Sequence, residues 1–254
     1  MIKPFFDSPL PRVFAHRGFA APQSATVENT IPAFRAALEL GATYLETDVH
    51  ASSDGVAVIS HDADLSRLIS VKEQVSDHSL ADLRAMDVGG GATFSSLAEA
   101  LDAFPTARFN IDIKSADAVG PTVDAVRTMG ASDRVLCTSF SETRRMGVVR
   151  ALPGVATSAS AARFLRALLA GRLGLTNVVT SALATVDAVQ VPERALRLEV
   201  TTERFIDQLH QAGVEIHVWT INDADTMNRL LDRGVDGIIT DRADIAMSVL
   251  AQRS

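Results

Sequence analysis

The chain has 254 residues, of which 47% are hydrophobic, so it is long enough to bury a full core. Its net charge of -7 at pH 7 argues against nucleic acid or an anionic membrane surface as the main partner, because both select basic patches. Its one cysteine, Cys137, excludes an internal disulfide and is typical of a reducing compartment.

The amino-terminal stretch, residues 1–7, lacks the basic, apolar and small-residue regions of a secretory signal. No uncharged apolar run has the length of a membrane span, since the longest candidate, 164–179, contains Arg166 and Arg172. We therefore expect a cytoplasmic protein with no integral membrane segment. No linker or shift in composition divides the chain, so residues 1–254 are predicted to form one domain. The oligomeric state stays open.

Short apolar runs alternate with helical patterns along nearly the whole chain, which is typical of successive βα units and a mainly parallel sheet. Strands are predicted at 12–15, twice within 44–62, and at 109–113, 135–139, 155–157, 188–191, 216–220 and 237–240. Helices are predicted between Thr30 and Gly41 and at 97–103, 116–129, 141–152, 161–169, 202–212 and 224–233. Thr30 is the expected N-cap of the first helix, and Gly41 is its expected C-cap.

The pattern gives nine candidate strands for the eight places of an α/β barrel. The surplus arises at 50–56, where the turn is too short for a crossover helix. An antiparallel hairpin and a doubled-back parallel strand both fit, and a hairpin would set Ser60 opposite Glu46. Residues 63–94 predict a small insertion after the third strand, with a short helix from Ser79. The glycines at 89–91 predict a flexible turn, because they lack the flanking strand and capped helix of a phosphate loop.

The first strand within 44–62 carries two carboxylates on one face. Side chains alternate along a strand, so Glu46, Asp48 and His50 point one way and the residues between them point the other. Two adjacent buried carboxylates are unfavourable unless a cation or proton compensates them, which favours a bound hard metal ion. His61 follows as a candidate proton carrier. The alternative is a structural ion pair or a solvated strand end.

Other predicted strands repeat this polar face. Strands that are covered on both sides are expected to be almost continuously aliphatic. The polar or amphipathic residues on one face here are Asn110, Asp112, Lys114, Gln190, His217 and Trp219. Because parallel barrels carry their sites at the carboxyl ends of the strands, the pattern predicts a rim lined for chemistry. His50 and His217 are candidates to support that rim from behind.

A set of short motifs lies in order along almost the whole chain. They are Ala15-His16-Arg17-Gly18, Glu28-Asn29-Thr30, Leu45-Glu46-Thr47-Asp48-Val49, Asp54-Gly55-Val56, His61-Asp62, Asp112-Ile113-Lys114, Gln190-Val191-Pro192, Val218-Trp219-Thr220-Ile221-Asn222 and Asp236-Gly237-Ile238-Ile239-Thr240-Asp241. The ordered set resembles the glycerophosphodiester phosphodiesterase family, in the barrel superfamily that includes phosphatidylinositol-specific phospholipase C. The resemblance implies an α/β fold, a (β/α)8 TIM barrel. It also implies hydrolysis of a glycerophosphodiester to glycerol 3-phosphate and an alcohol, with Mg²⁺ or Ca²⁺.

The resemblance implies roles for individual residues as well. The general acid and base would be His16 and His61. The metal ligands would be Glu46, Asp48 and Asp112. The substrate-binding residues would be Arg17 and Lys114 at the phosphate, Trp219 beside the glycerol moiety, and Glu28. Position 112 departs from the family, where glutamate is usual; aspartate is one methylene shorter, so a water bridge is the alternative to a direct metal bond.

The chemistry of these residues is compatible with such a site. Oxygen ligands suit Mg²⁺ or Ca²⁺, and a cation together with Arg17 and Lys114 would offset charge on a phosphorane-like transition state. The attacking group is either the substrate's own 2-hydroxyl, which the resemblance favours, or water. Structural alternatives also stand: Asp112 and Lys114 pair with each other, Trp219 fills the core, and Glu28 organises the first helix.

Two rival functions follow from the same residues. One is a lysophospholipase D or phospholipase-type phosphodiesterase on the same barrel, which would accept acylated substrates. The other is a non-catalytic module that binds a phosphodiester or a metal. The presence of both histidines with the carboxylate set favours an enzyme, and the sequence leaves its alcohol head group open.

Overall fold

The computed structural model describes residues 3–20, 26–196 and 198–253. The strands are β1 (Arg12–Ala15), β2 (Tyr44–Ala51), β3 (Ala57–Ile59), β4 (Asp87–Gly89), β5 (Ala92–Thr93), β6 (Arg108–Ile113), β7 (Val135–Thr138), β8 (Ala156–Thr157), β9 (Ala188–Pro192), β10 (Arg194–Ala195), β11 (Leu198–Glu199), β12 (Glu215–Trp219) and β13 (Gly237–Thr240). The helices are α1 (Ile31–Glu39), α2 (Ser66–Ile69), α3 (Leu80–Arg84), α4 (Leu97–Ala103), α5 (Val119–Thr128), α6 (Glu142–Ala151), α7 (Ala161–Arg172), α8 (Thr176–Leu183), α9 (Glu203–Gln211), α10 (Ala224–Asp232) and α11 (Ala243–Arg253). Within these ranges, no helix is long and apolar enough to cross a membrane.

Eight parallel strands form the barrel. Hydrogen-bonded neighbours follow the order β8, β7, β6, β2, β1, β13, β12, β9. A parallel bridge between Ser158 and Ala188 joins the two ends of this row. Helices follow most of the strands and cover the outside, so both faces of the sheet are buried, as a parallel sheet requires. The predicted (β/α)8 barrel is therefore confirmed.

The ninth candidate strand is the second arm of a hairpin. β3 pairs antiparallel with β2, and Val49 lies opposite Ile59. The Ser52 N–H donates to the Val56 carbonyl at 3.0 Å, which closes the turn early and sets this register. The Ser60 N–H donates to the Asp48 carbonyl at 3.1 Å. The expected position of Ser60 opposite Glu46 is therefore wrong by two residues, and His61 enters nearer the carboxyl end of β2.

The irregular segment after β3 forms the predicted insertion. It contains α2, α3 and the antiparallel pair β4 and β5, and it has a small apolar core of its own. Members of that core include Val58, Leu65, Val75, Leu83 and Phe94. The three glycines at 89–91 have positive φ values and join β4 to β5, so they make a turn between strands. The insertion lies beside the hairpin that carries His61.

Local signals account for several helix boundaries. The Thr30 side chain accepts a hydrogen bond from the Ala33 N–H at 3.3 Å, and Gly41 follows α1 with φ +96°. Ser96 and Glu99 form the capping box at the start of α4. The sequence pattern does not predict α8, α11 or the β10–β11 hairpin. The α8 helix begins after an apolar residue, and each hairpin strand has two residues, too few for alternation to register.

The amino-terminal end of the barrel, its bottom, is closed by residues 3–8. Phe5 and Phe6 are buried there, and the Phe5 ring meets the Tyr44 ring edge-on at 5.2 Å between centroids. The Arg12 guanidinium, 4% exposed, donates to both carboxylate oxygens of Glu215 at 2.8 and 2.9 Å. Its other N–H groups reach the Tyr44 hydroxyl and the Phe6 carbonyl, each at 2.9 Å. The bottom thus holds a buried guanidinium and a partly buried carboxylate beside aromatic rings.

Candidate active site

A cavity of about 420 Å³ opens at the carboxyl ends of the barrel strands, the mouth. It is lined by all but one of the predicted site residues: His16, Arg17, Glu46, Asp48, His61, Asp112, Lys114 and Trp219. The exception is Glu28, whose Oε1 accepts hydrogen bonds from Arg17 and Arg67 at 3.0 and 2.6 Å. Glu28 therefore stands behind the Arg17 side chain, and substrate binding by Glu28 stays a prediction.

His16 follows the last residue of β1 and is held by a carboxylate. Its Nδ1 lies 2.6 Å from Asp241 Oδ1. Burial lowers the pKa of His16, but the carboxylates of Glu46 and Asp241 outweigh burial, so the pKa lies above its ordinary value. Burial raises the pKa of Asp241, but hydrogen bonds from His16 and Asn222 outweigh it and lower that pKa. Asp241 is therefore an ionised acceptor for the Nδ1–H, and His16 Nε2 remains for the cavity.

His61 repeats this arrangement beside the β2–β3 hairpin. Its Nδ1 lies 2.7 Å from Asp62 Oδ1. Burial raises the pKa of Asp62, but hydrogen bonds from Arg67 and His61 outweigh it and lower that pKa. His50 Nε2 lies 3.3 Å from the His61 carbonyl oxygen, which supports the backbone of the site from behind. Both site histidines therefore keep Nδ1 on a carboxylate and present Nε2 to a ligand.

Glu46 and Asp48 are buried on the same face of β2, with exposures of 7% and 1%. Burial, and then the charge of Asp48, raise the pKa of Glu46 to about 7. Asp48 shifts the other way, because Lys114, Asn29 and Arg17 outweigh the effect of burial and lower its pKa. At neutral pH Asp48 is therefore ionised, whereas Glu46 resists losing its proton. The positive charge around this pair is therefore too small to keep both carboxylates ionised.

Lys114 lies between two of the predicted metal ligands. Its Nζ is 2.7 Å from Asp48 Oδ1 and 2.7 Å from Asp112 Oδ2. Among the described residues, no group of three His, Cys, Asp or Glu side chains is arranged to hold a metal ion. The donor chemistry nevertheless fits a hard cation, because the candidate atoms are carboxylate oxygens. Asp112 Oδ1 is buried with no hydrogen-bond partner in the described ranges, and burial raises the pKa of Asp112.

Arg17 turns the chain out of β1 into the site. Its φ of +56° is left-handed, which is uncommon for arginine, and its N–H donates to Glu46 Oε2 at 3.1 Å. Its guanidinium Nε lies 3.4 Å from Asp48 Oδ2. A Cβ on the following residue, Gly18, would lie 2.7 Å from the Ala33 carbonyl carbon. Glycine at this position therefore lets the start of α1 pack against the turn that carries His16 and Arg17.

One wall of the cavity is apolar and lies outside the predicted set. Its residues are Phe140, Phe164, Val191, Pro192 and Ala195. Phe140 is 61% exposed, and its ring meets the Trp219 ring edge-on with 6.4 Å between centroids. The Trp219 ring therefore extends this apolar wall.

Sequence reasoning assigns no role to three residues that orient the predicted ones. Asp62 directly follows His61, and Asp241 directly follows β13 as His16 follows β1, so their positions at strand ends are the signal that marks them. Asn29 accepts from Thr47 Oγ1 at 2.8 Å and donates to Asp48 Oδ2 at 3.0 Å. The phenylalanines of the wall carry no such signal, because an isolated apolar residue outside a regular pattern is common in any sequence.

Comparison with known proteins agrees with this geometry. Residues 16–245 match the model of the Glycerophosphoryl diester phosphodiesterase family. The probable glycerophosphodiester phosphodiesterase 2 of Mycobacterium tuberculosis is 41% identical over 240 residues, which cover 94% of this chain and 90% of that protein. A solved glycerophosphodiester phosphodiesterase from Agrobacterium tumefaciens is 26% identical with a TM-score of 0.77, covering 95% of this chain and 100% of that one. One from Thermotoga maritima is 25% identical with a TM-score of 0.73, covering 93% and 97%.

Proposed function

The chain belongs to the glycerophosphoryl diester phosphodiesterase family, and from this premise we propose that His16 and His61 hydrolyse a glycerophosphodiester to glycerol 3-phosphate and an alcohol by acid–base catalysis. One observation carries the proposal. Two histidines, each tied through Nδ1 to an ionised aspartate, line the same cavity as Arg17 and Lys114. The chain is accordingly an enzyme that cleaves phosphodiesters. We propose the cytoplasm as its compartment, which its single cysteine supports.

Each histidine would act through Nε2. One takes the proton of the attacking hydroxyl while the other protonates the leaving alkoxide, and each such transfer typically contributes about 10²–10⁴-fold to the rate. A histidine that has gained a proton is a cation beside a carboxylate, which stabilises it. In this proposal the attacking group is the 2-hydroxyl of the substrate's glycerol, which gives a cyclic phosphate that water then opens.

The two basic side chains of the cavity would hold the phosphate. Burial lowers the pKa of Lys114, but Asp48 and Asp112 outweigh it, so that pKa is raised and the ammonium stays protonated. Arg17 lines the cavity with its guanidinium braced against Glu28. Fixed positive groups in a partly enclosed site offset developing charge on phosphate oxygens without having to reorganise. The apolar wall would face the alcohol part of the substrate.

A divalent cation, Mg²⁺ or Ca²⁺, is part of the proposal. Glu46, Asp48 and Asp112 would hold it through carboxylate oxygens, and when bound it would supply a Lewis acid for the phosphate oxygens. The raised pKa of Glu46 and the unpartnered Asp112 Oδ1, as judged over the described ranges, support this donor set. Because a ligand carboxylate binds metal in its ionised form, apparent metal affinity should fall as the pH drops below about 7.

The test is release of glycerol 3-phosphate from glycerophosphocholine and glycerophosphoethanolamine, first in EDTA and then with Mg²⁺, Ca²⁺ or Mn²⁺ restored. We expect release that EDTA abolishes and at least one metal restores. Release that persists in EDTA would remove the cation from the proposal and leave Lys114 as the balancing charge. Folded protein that releases nothing with any metal would contradict these substrates.

Acylated glycerophosphodiesters are the second candidate, because the apolar wall favours them. In this candidate the acyl chain is on the glycerol, so the orientation is reversed: the glycerol end faces Phe140, Phe164 and Ala195, whose surface a hydrocarbon chain would bury. Competition with glycerophosphocholine measures this preference. A lysophospholipid that competes far more strongly than its short-chain analogue, below its micelle concentration, would favour the acylated class, whereas equal competition would remove it.

A further inference from the structure

One amide oxygen on the floor of the cavity is buried without a donor. Asn110 lies in β6 two residues before Asp112, lines the cavity and is 2% exposed. Its Nδ2 donates to Gln190 Oε1 at 3.3 Å. Its Oδ1 has no hydrogen-bond partner anywhere in the part of the chain that the structure describes. A buried acceptor without a donor is unfavourable, so this atom calls for a ligand.

Two neighbouring side chains fix which way that amide points. The Gln190 Oε1 accepts the hydrogen bond from Asn110, so the Gln190 Nε2 is the atom that lies 3.3 Å from His217 Nδ1. An amide nitrogen only donates, so His217 Nδ1 is the acceptor and the ring proton is on Nε2. That Nε2–H donates to Glu215 Oε2 at 3.0 Å. If the Asn110 amide were reversed, its oxygen would face Gln190 Oε1. Gln190 could avoid this contact only by turning its own oxygen toward His217 Nδ1, which is also an acceptor.

Glu215 anchors this chain of hydrogen bonds at the bottom of the barrel. Burial raises its pKa, but hydrogen bonds from Arg12 and His217 outweigh burial and hold the pKa at about 2. It is therefore an ionised acceptor at neutral pH. The His217 ring is fully buried, with the Phe14 ring 4.6 Å away between centroids, so it has little room to turn. Every donor in this series of hydrogen bonds points toward Glu215. The atom left at the other end of the series, Asn110 Oδ1, is therefore an acceptor.

We propose that Asn110 Oδ1 accepts a hydrogen bond from a glycerol hydroxyl of the substrate, with Gln190 and His217 as positioning residues that keep the oxygen in that orientation. The inference rests on the proposed function, which supplies the glycerol. In the glycerophosphate part that all these substrates share, the hydroxyls are the donors, whereas the phosphodiester oxygens are acceptors that Oδ1 would repel. Asn110 is thus a specificity-determining residue.

The register of the strands says where that hydroxyl lies. Asn110 is the neighbour of Glu46 across the β2–β6 pair, one level below the pair of Asp48 and Asp112. The glycerol end of the substrate therefore enters first and reaches the floor, while the alcohol faces the apolar wall nearer the exit. A site built this way would recognise the shared end of its substrates closely and the variable end loosely.

The experiment measures binding without turnover. Titration calorimetry on the whole chain compares sn-glycerol 3-phosphate with two analogues that each lack one hydroxyl, 3-hydroxypropyl phosphate and 2-hydroxypropyl phosphate. Asn110→Leu keeps the approximate volume and removes the acceptor. Thr138→Val is the matched control, because the Thr138 hydroxyl also belongs to a cavity-lining residue but is paired with Ser158. Gln190→Met leaves Asn110 in place and frees its amide to turn.

Wild type should bind glycerol 3-phosphate about 10-fold more tightly than the analogue that lacks the contacted hydroxyl. Asn110→Leu should abolish that ratio by weakening glycerol 3-phosphate about 10-fold and leaving that analogue unchanged. Thr138→Val should keep the ratio. Gln190→Met should reduce it to roughly threefold, again through glycerol 3-phosphate alone. This second variant decides the question if Asn110→Leu does not fold.

Three results would overturn the proposal. Equal weakening of all three ligands would mean that Asn110 is structural, and an unchanged ratio would mean that its oxygen binds water. A higher Mg²⁺ requirement with an unchanged ratio would assign the oxygen to the cation. Failure of the wild type to bind glycerol 3-phosphate, with or without Mg²⁺, would instead contradict the proposed function on which the inference rests.

Discussion

The barrel buries charged side chains at both of its ends, and the two ends leave them in opposite states. At the bottom, Arg12 contacts both oxygens of Glu215, and the pKa of that carboxylate is held at about 2 although burial raises it. At the mouth, burial and the charge of Asp48 raise the pKa of Glu46 to about 7. The first carboxylate is firmly ionised, and the second resists ionisation.

This difference separates charges that serve the fold from charges that serve a ligand. When both oxygens of a carboxylate accept hydrogen bonds from a charged partner, removal of that partner destabilises the folded chain. Carboxylates crowded together destabilise the protein until a cation or a proton arrives, and perturbed groups of this kind collect at functional sites. Substitutions at the bottom should therefore change stability, and substitutions at the mouth should change activity.

The largest effect is expected for the two histidines of the mouth. His16→Ala and His61→Ala each remove a proton carrier and should lower kcat/KM for glycerophosphocholine about 10²–10⁴-fold. Thermal unfolding should stay near wild type, because both side chains are partly exposed, at 19% and 33%. His210→Ala is the matched control. His210 Nε2 lies 2.9 Å from Asp236 Oδ2, and neither residue lines the cavity. Near-normal turnover in both site variants would contradict their assignment.

The counterpart at the bottom is Arg12→Met, which removes the guanidinium partner of Glu215. We expect the free energy of unfolding in urea to fall by about 2–3 kcal/mol, because Glu215, whose side chain is 21% exposed, loses two charge-assisted hydrogen bonds and keeps the one from His217. The folded fraction should lose far less activity than the histidine variants do. Arg108→Met is the control, since Arg108 also lies over the Tyr44 ring, at 5.5 Å, but is only half-buried. A loss for Arg12→Met no larger than for this control would contradict the role of the bottom pair.

A third substitution tests whether catalysis depends on the aspartate that contacts a site histidine. Asp241→Asn keeps the shape of the side chain and removes a charge that raises the pKa of His16. The pKa of His16 should therefore fall, and the limb of the kcat/KM profile that reports it should move to lower pH. We expect roughly a 10–100-fold loss in rate at the optimum, as for other groups that orient a reacting side chain. An unmoved profile, like that expected of the surface variant Asp244→Asn, would show that Asp241 does not act through His16.

The smallest expected effect has the opposite sign from that at the bottom. In EDTA, the folded protein holds a proton on Glu46 up to about pH 7, whereas the ordinary value of 4.5 applies to the unfolded chain. A raised carboxyl pKa means that stability falls as the pH rises from 4.5 through 7. Glu46→Gln should flatten this slope in thermal melts at pH 5 and pH 8, and Mg²⁺ should stabilise the wild type at pH 8. If the wild type in EDTA became more stable as the pH rose from 4.5 to 7, that result would contradict the raised pKa of Glu46.

Much of the barrel follows from local patterns in the sequence. Alternation along β2 predicts that Glu46 and Asp48 share a face, and cap residues such as Thr30 and Ser96 predict where helices begin. Strand ends marked by polar residues predict which side chains gather at the mouth. These signals depend on spacings of a few residues, so they can be read without knowing the fold.

The sequence does not predict the register in which strands that are distant along the chain pair with each other. Arg12 and Glu215 are 203 residues apart, and His16 and Asp241 are 225 apart, so only the register of the closed barrel pairs them. The same register sets Asp48 beside Asp112, and Lys114 bridges both carboxylates as well as lining the cavity. Alternation tells which face a residue occupies, but it does not tell what lies across the sheet.

The position of β1 between β2 and β13 has a consequence for how the chain matures. The strand synthesised first keeps one edge unpaired until the strand synthesised last reaches it. Pairing between segments so far apart in sequence closes slowly, and an open edge invites other strands in the meantime. The barrel can therefore close only when β13, the last of its strands in the chain, pairs with β1, the first.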